Sequence, residues 1–268
     1  MNRAAQLTGL GLLGVLCLFG SSPTRAEEPA AHCSLKKQHG GLAFPVDALT
    51  PAARCLISDI VEGATTEGVT GPVVTPITRP LYEFLLNRPP LTASLSSRLN
   101  LAPYECTVTD ARRFWINDHD GTQGEFTFLF QNADSRIYYI DGFHEGKLLP
   151  RVHAKAVVFL RVIETKAANG APALESTLVT YTKLNDRMLA FLVRLLRPLV
   201  GGAVTRKLSK GFDVVNQLSA VAVQSPDKFL NEVTASGPNG PADAQALRAL
   251  MPQPLAATPT PPSAPPKP

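Results

Sequence analysis

From Tyr104 to Leu184 the apolar residues recur at every second position, and on either side of that stretch they recur at every third or fourth. A period of two puts alternate side chains on one face of a strand, whereas a period near 3.6 lines one face of a helix. "YECTVT" sets Tyr104, Cys106 and Val108 against Glu105, Thr107 and Thr109, and "RRFWI" follows. "TQGEFTFLF" places Phe126, Phe128 and Phe130 on one face, and "SRIYYIDG", with Tyr139, comes after the turn "QNAD". The cleanest alternation carries Val152, Ala154, Ala156, Val158, Leu160 and Val162 opposite Arg151, His153, Lys155 and Arg161, which reads as a solvated outer face. "ALESTLVTYTKL" returns with Leu174, Leu178 and Thr180. The links "NDHDG", "QNAD" and "KAANGAP" are short and rich in turn residues, so the strands pair antiparallel as a meander of five to six strands.

The flanks read as helices. "TPAARCLISDIVEG" opens on Thr50 as an N-cap with Pro51 at the first helical position. "GVTGPVVTPIT" is rich in β-formers but interrupted by Pro72 and Pro76, which suits a short or edge strand. "RPLYEFLLNRPPLTASLSSRLNL" divides at Pro89-Pro90 into two short helices with inner faces Leu81, Phe84, Leu85 and Leu91, Leu95, Leu99. After the meander, "RMLAFLVRLLRPLVGGAVTRKL" (Arg187–Leu208) is strongly apolar yet broken by Arg187, Arg194, Arg197, Arg206 and Lys207. Its uncharged runs fall short of the roughly 20 residues of a bilayer crossing. Each central arginine would cost roughly 2.5–3.5 kcal/mol there. The expected role is a helix that covers the sheet, broken at Pro198 and Gly201-Gly202, with Leu208, Phe212, Val215, Leu218 and Ala222 continuing its inner face. Transient contact with a membrane surface stays open, because a basic amphipathic helix can lie on one.

The two ends change the picture of a single domain. Residues 1–26 carry Arg3, an apolar run over Leu7–Gly20, and Thr24 and Ala26 as small residues before a cut. That is the layout of a secretory signal peptide, and a periplasmic or secreted location follows from it. Removing it takes Arg3 and Arg25 and no acid from the net charge of +4, leaving +2, too little to imply a nucleic-acid partner. Residues 27–48 read as an irregular segment, 49–235 as an α+β domain, and 236–268 as a proline-rich tail, with eight prolines among the last 17 residues. Cys33, Cys55 and Cys106 remain in the mature chain. An odd number in an exported protein leaves at least one thiol free or paired between molecules. Cys33–Cys55 is the favoured pair, because Cys33 lies in a segment that needs fastening. Cys106 reads as an inert thiol on a strand face.

The order "GPVVTPIT", "RPLYEFLLNRPPLTASLSSRLNL", the meander Tyr104–Leu184 and the helix Asp186–Gln224 resembles the helix-grip fold of the START-like superfamily, which includes lipid-transfer domains and polyketide-cyclase-like proteins. The resemblance is one of topology and pattern. The prolines of the first strand and the extra helix near Thr50 depart from it. It implies a space between helix and sheet that holds an apolar ligand. The expected pocket is walled by Phe126, Phe128, Phe130, Tyr139, Ala154, Ala156 and Val158 and roofed by Leu192, Leu195 and Phe212. A lipid or other hydrophobic small molecule is then the expected partner, carried without chemistry. The alternatives are a cyclase- or hydrolase-like enzyme using the same cavity, and a non-catalytic protein of the cell envelope. The polar clusters Asp118, His119, Asp120 and His144, Glu145 are flanked by glycines and read first as turn residues. His153 with its basic neighbours reads first as solvated, second as a strip for anionic headgroups. No nucleophile motif or metal-ligand spacing appears, so no cofactor or metal is expected. Oligomeric state is not legible.

Overall fold

The structure, a computed structural model, describes residues 33–146, 151–185 and 197–251, the side chains of 197–208 excepted. A hairpin, β1 (Gln38–His39) and β2 (Leu42–Ala43), leads through a 3-10 turn (Val46–Ala48) to α1 (Pro51–Glu62) and β3 (Thr66–Thr75). Then come α2 (Arg79–Leu86), α3 (Pro89–Arg98), β4 (Glu105–Asp110), β5 (Arg113–Asn117), β6 (Thr122–Gln131) and β7 (Ser135–His144). The chain ends on β8 (Val152–Lys166), β9 (Pro172–Leu184), α4 (Arg197–Gln224), α5 (Pro226–Thr234) and α6 (Gly240–Leu250). Local chemistry accounts for the helix starts. The Thr50 hydroxyl accepts from the Ala53 amide at 3.2 Å, and a proline stands in the first turn of α1, α2, α3, α5 and α6.

β3 to β9 form one antiparallel sheet in the order β3-β9-β8-β7-β6-β5-β4. Six strands run as a meander, and β3 reaches the far edge beside β9 because α2 and α3 carry the chain across. The meander has six strands, within the five to six that alternation predicts, and β3 is the edge strand expected at "GVTGPVVTPIT". β3 survives its prolines: Pro72 sits in a bulge between Thr70 and Val73 on an edge strand, and Pro76 follows the last strand residue.

α4 lies against the inner face. Val214, Val215, Leu218 and Ala222 join Tyr138, Val158, Leu160, Val162, Leu174 and Leu178 in one core, closed by α2, α3, α5 and α6. Among the described residues this is the helix-grip arrangement. The helix runs through Gly201-Gly202 without interruption, so the expected break there is not formed. Residues 240–250, assigned above to the tail, form α6 and bury Leu247 in the same core. Ala244 and Leu247 lie one helical turn apart, a periodicity that proline content further along obscured.

The outer face of the sheet is covered as well. Ile137, Val157, Phe159, Val179 and Tyr181 pack beneath Phe44, Val46, Leu49, Ile57 and Ile60. The solvated outer face expected from Arg151, His153, Lys155 and Arg161 is thus confined to the strand ends. The unbroken run Ala156–Leu160 is apolar at both parities, as befits a strand buried on two sides. A bond between Cys33 and Cys55, whose Cα atoms are 4.9 Å apart, fastens this outer layer to α1.

Candidate ligand-binding face

Residues paired across antiparallel strands share a face. The register therefore sets Thr182, Ala156, Ile140, Phe126 and Phe114 in one row across the sheet, and Leu184, Ala154, Gly142, Gly124, Ile116 and Cys106 in the next. Both rows lie on the side of Val158 and Tyr138, which faces α4. The second row is small at its centre. A Cβ on Gly124 would stand 2.7 Å from the Cα of Gly142, and one on Gly142 would strike the Gln123 carbonyl, so the strands fold together too tightly there for any side chain. The first row is apolar and incompletely covered, with Phe114, Phe126 and Ile140 half-buried.

Six of the expected pocket residues meet on this face. Phe126 and Phe128 flank the Tyr138 ring at 4.7 and 5.1 Å, and Phe212 of α4 approaches it at 5.6 Å. Ala156 and Val158 are buried and Ala154 is half-buried beside them. Phe130 and Tyr139 are not part of it. A bulge between Phe128 and Phe130 inserts Leu129, reverses the alternation and turns Phe130 to the outer core. Tyr139 packs on that outer core too, and its hydroxyl donates to Asp141 Oδ2 at 2.9 Å. Leu192 and Leu195 lie outside the described residues.

The face also holds polar groups that alternation does not announce. Arg136 is 3% exposed and forms no ion pair among the described residues. Its Nη1 donates to Asn87 Oδ1 at 2.8 Å, its guanidinium stands 5.6 Å from the centre of the Phe128 ring, and its Nη2 has no partner there. A space of about 10 Å³ beside Arg136, Tyr82 and Ser135 is the size of one water. Burial pushes the Tyr138 phenol well above its ordinary range, with Arg136 pulling the other way. Burial likewise raises Tyr82 to about 12, opposed by Ser176 and Arg136 and reinforced by Asp213. Tyr104 rises to about 12 through burial first and then the carboxylates of Asp118 and Asp213. Desolvation on α4 raises the Asp213 carboxyl. At neutral pH the three phenols keep their protons and can only donate or accept hydrogen bonds. Burial pushes the Cys106 thiol up to about 12 as well, so it is a poor nucleophile.

The remaining polar candidates have structural partners. Asp118 Oδ1 accepts from the Asp120 and Thr122 amides, and His119, with a left-handed φ of 50°, lies 3.4 Å from Glu105. His144 Nδ1 meets the Thr122 hydroxyl at 3.1 Å. Arg151 pairs with Glu145, Lys155 with Asp141, and Arg161 donates to the Ala43 carbonyl. His153 packs near Phe143 at 5.6 Å. Among the described residues no three His, Cys, Asp or Glu side chains group as metal ligands, and no helix is long and apolar enough to cross a membrane.

No protein-family model matches this chain, and no curated sequence does. Solved structures are similar in shape. A conserved protein from Geobacillus kaustophilus is 8% identical with a TM-score of 0.40, over 58% of this chain and 95% of its own. Norcoclaurine synthase from Thalictrum flavum is 13% identical at 0.36, over 59% and 89%. Ara h 8.0201 is 15% identical at 0.31, over 57% and 95%. At scores this low the likeness transfers no property to this chain.

Proposed function

We propose that this chain is an exported binding protein of the START-like kind, which takes up a lipid or other hydrophobic small molecule on the inner face of its sheet. The observation that carries this reading is the pair of rows across that face. Half-buried Phe114, Phe126 and Ile140 offer apolar surface, and the small side chain of half-buried Ala154 lies in the row beside them. Apolar pockets are built of such side chains, with a few polar groups to orient the ligand. Arg136, Tyr138 and Asp213 supply those groups. Cleavage after Ala26 would place the mature chain in the periplasm or outside the cell, and N-terminal sequencing of exported protein checks that it begins at Glu27.

Uptake of a fluorescent fatty acid or sterol tests the site, together with native mass spectrometry of the purified protein. Ala154→Phe should weaken uptake at least tenfold while stability changes by no more than about 0.5 kcal/mol, as at a site with room to spare. A packed core would instead lose about 1–3 kcal/mol through overpacking. Wild-type protein that takes up neither probe and carries no co-purified lipid would refute the proposal.

A further inference from the structure

The layer over the outer face is where this chain departs from a plain helix-grip domain, and its hairpin is held by an unusual contact. Gly40 and Gly41 make the two-residue turn in left-handed conformation, with φ of 55° and 79°. A Cβ on Gly40 would stand 2.8 Å from the side chains of Val179 and Val69, so the hairpin lies flush on the sheet. From it His39 reaches into the outer core and is 2% exposed. Its ring stacks on Phe159 at 4.2 Å and 16°, and its Nδ1 meets the Tyr181 hydroxyl at 3.2 Å. Its Nε2 is buried with no hydrogen-bond partner among the described residues.

We propose that the β1–β2 hairpin is an acid-released clasp, loosened from the outer face when His39 takes up a proton and kept attached through Cys33–Cys55. The charged ring would need an acceptor at both nitrogens; the Tyr181 hydroxyl stands at Nδ1, and no hydrogen bond forms at Nε2 among the described residues. Its charged surroundings do not compensate. On its own segment stand Lys36, which repels it, and Lys37, already paired with Asp47. On β8 stands Arg161, bonded to the Ala43 carbonyl of β2. On β9 stand the Tyr181 phenol and Lys183, the latter paired with Asp59 of α1. On β3, Glu67 acts on the Tyr181 phenol. The ring can gain from the Phe159 face and from the Lys36 carbonyl, but its loss of water outweighs both and holds its pKa below the ordinary 6.5. The sign follows. A lowered value means that the open form binds the proton better, so the clasp is held above pH 6.5 and is lost as pH falls further. Release would bare Phe159, Val157 and Tyr181, an apolar surface on the side of the sheet away from α4. This inference is independent of the ligand proposed above.

Amide exchange read by mass spectrometry on the full mature protein tests the clasp, after correction for the intrinsic pH dependence of exchange. A ring that takes its proton only in the open form raises the opening equilibrium about tenfold between pH 7.5 and 5.5. Peptides covering 36–44 should lose protection by that factor, while β6 and β7 stay protected. His39→Phe should remove the pH dependence. Equal protection at both pH values overturns the proposal, as does an unchanged acid loss in His39→Phe, which would assign the effect to a carboxylate such as Asp47. Nuclear magnetic resonance titration of the wild-type His39 ring provides a second readout should the variant misfold. A ring titrating at 6.5 or above in the closed protein also overturns it.

Discussion

Severing Cys33 from Cys55 measures whether the outer layer is part of the cooperative fold. The double variant Cys33→Ser/Cys55→Ser removes a link between residues 22 apart in sequence. Its main effect is on the unfolded chain, which regains the freedom that the closed loop denied it. The loop-entropy relation for 22 residues gives about 11 cal/mol/K, or about 3.4 kcal/mol at 25 °C. For a domain of this size the melting temperature should fall by roughly 7–13 °C. Urea denaturation, followed by far-UV circular dichroism and by the fluorescence of the single tryptophan, reads the loss. That tryptophan, Trp115, sits on β5, while the bond fastens a layer over the β7–β9 part of the sheet, so a shift in its signal reports coupling through the fold. The unlinked chain exposes more surface when unfolded, and the slope of the transition should steepen slightly. Coincident midpoints for the linked and unlinked proteins would refute the reasoning and show that residues 33–49 unfold separately from the sheet.

Two further outcomes follow from the same geometry. Phe159→Ala should cost about 3–5 kcal/mol in denaturant unfolding, as for a fully buried phenylalanine. Lys155→Ala, four residues earlier on the same face and ion-paired with Asp141, should stay within about 1 kcal/mol as for an exposed ion pair. Comparable small losses at both sites would mean that the outer face is solvated after all. Asp213→Asn should leave stability at pH 7 unchanged or higher, because desolvation raises the carboxyl and the folded state disfavours its charge. The difference should vanish as pH falls below the ordinary carboxylate value, where both forms are neutral. A clear loss at pH 7 would instead reveal a cation paired with it.

The period-two stretch from Tyr104 to Leu184, the helices begun by proline, the cap at Thr50 and the apolar stripe Val215–Leu218–Ala222 could all be read locally, because each depends on residues within one turn or one strand. So could the pairing of Cys33 with Cys55, since a loose N-terminal segment had few other fastenings. The faces could not be assigned in full. A strand states its alternation but not what packs on each side, so the face of Arg151, His153, Lys155 and Arg161 read as solvated, although Val157 and Phe159 between them are covered by the N-terminal layer. Phe130 left the pocket because a bulge forms against a partner strand, and the partner's register decides where the extra residue goes. Arg136 and Tyr138 became neighbours of Asn87 and Tyr82 only when α2 crossed the sheet. Local sequence determined which segments are strands and helices. Long-range packing decided which side chains each face buries, because burial depends on elements far apart in the chain.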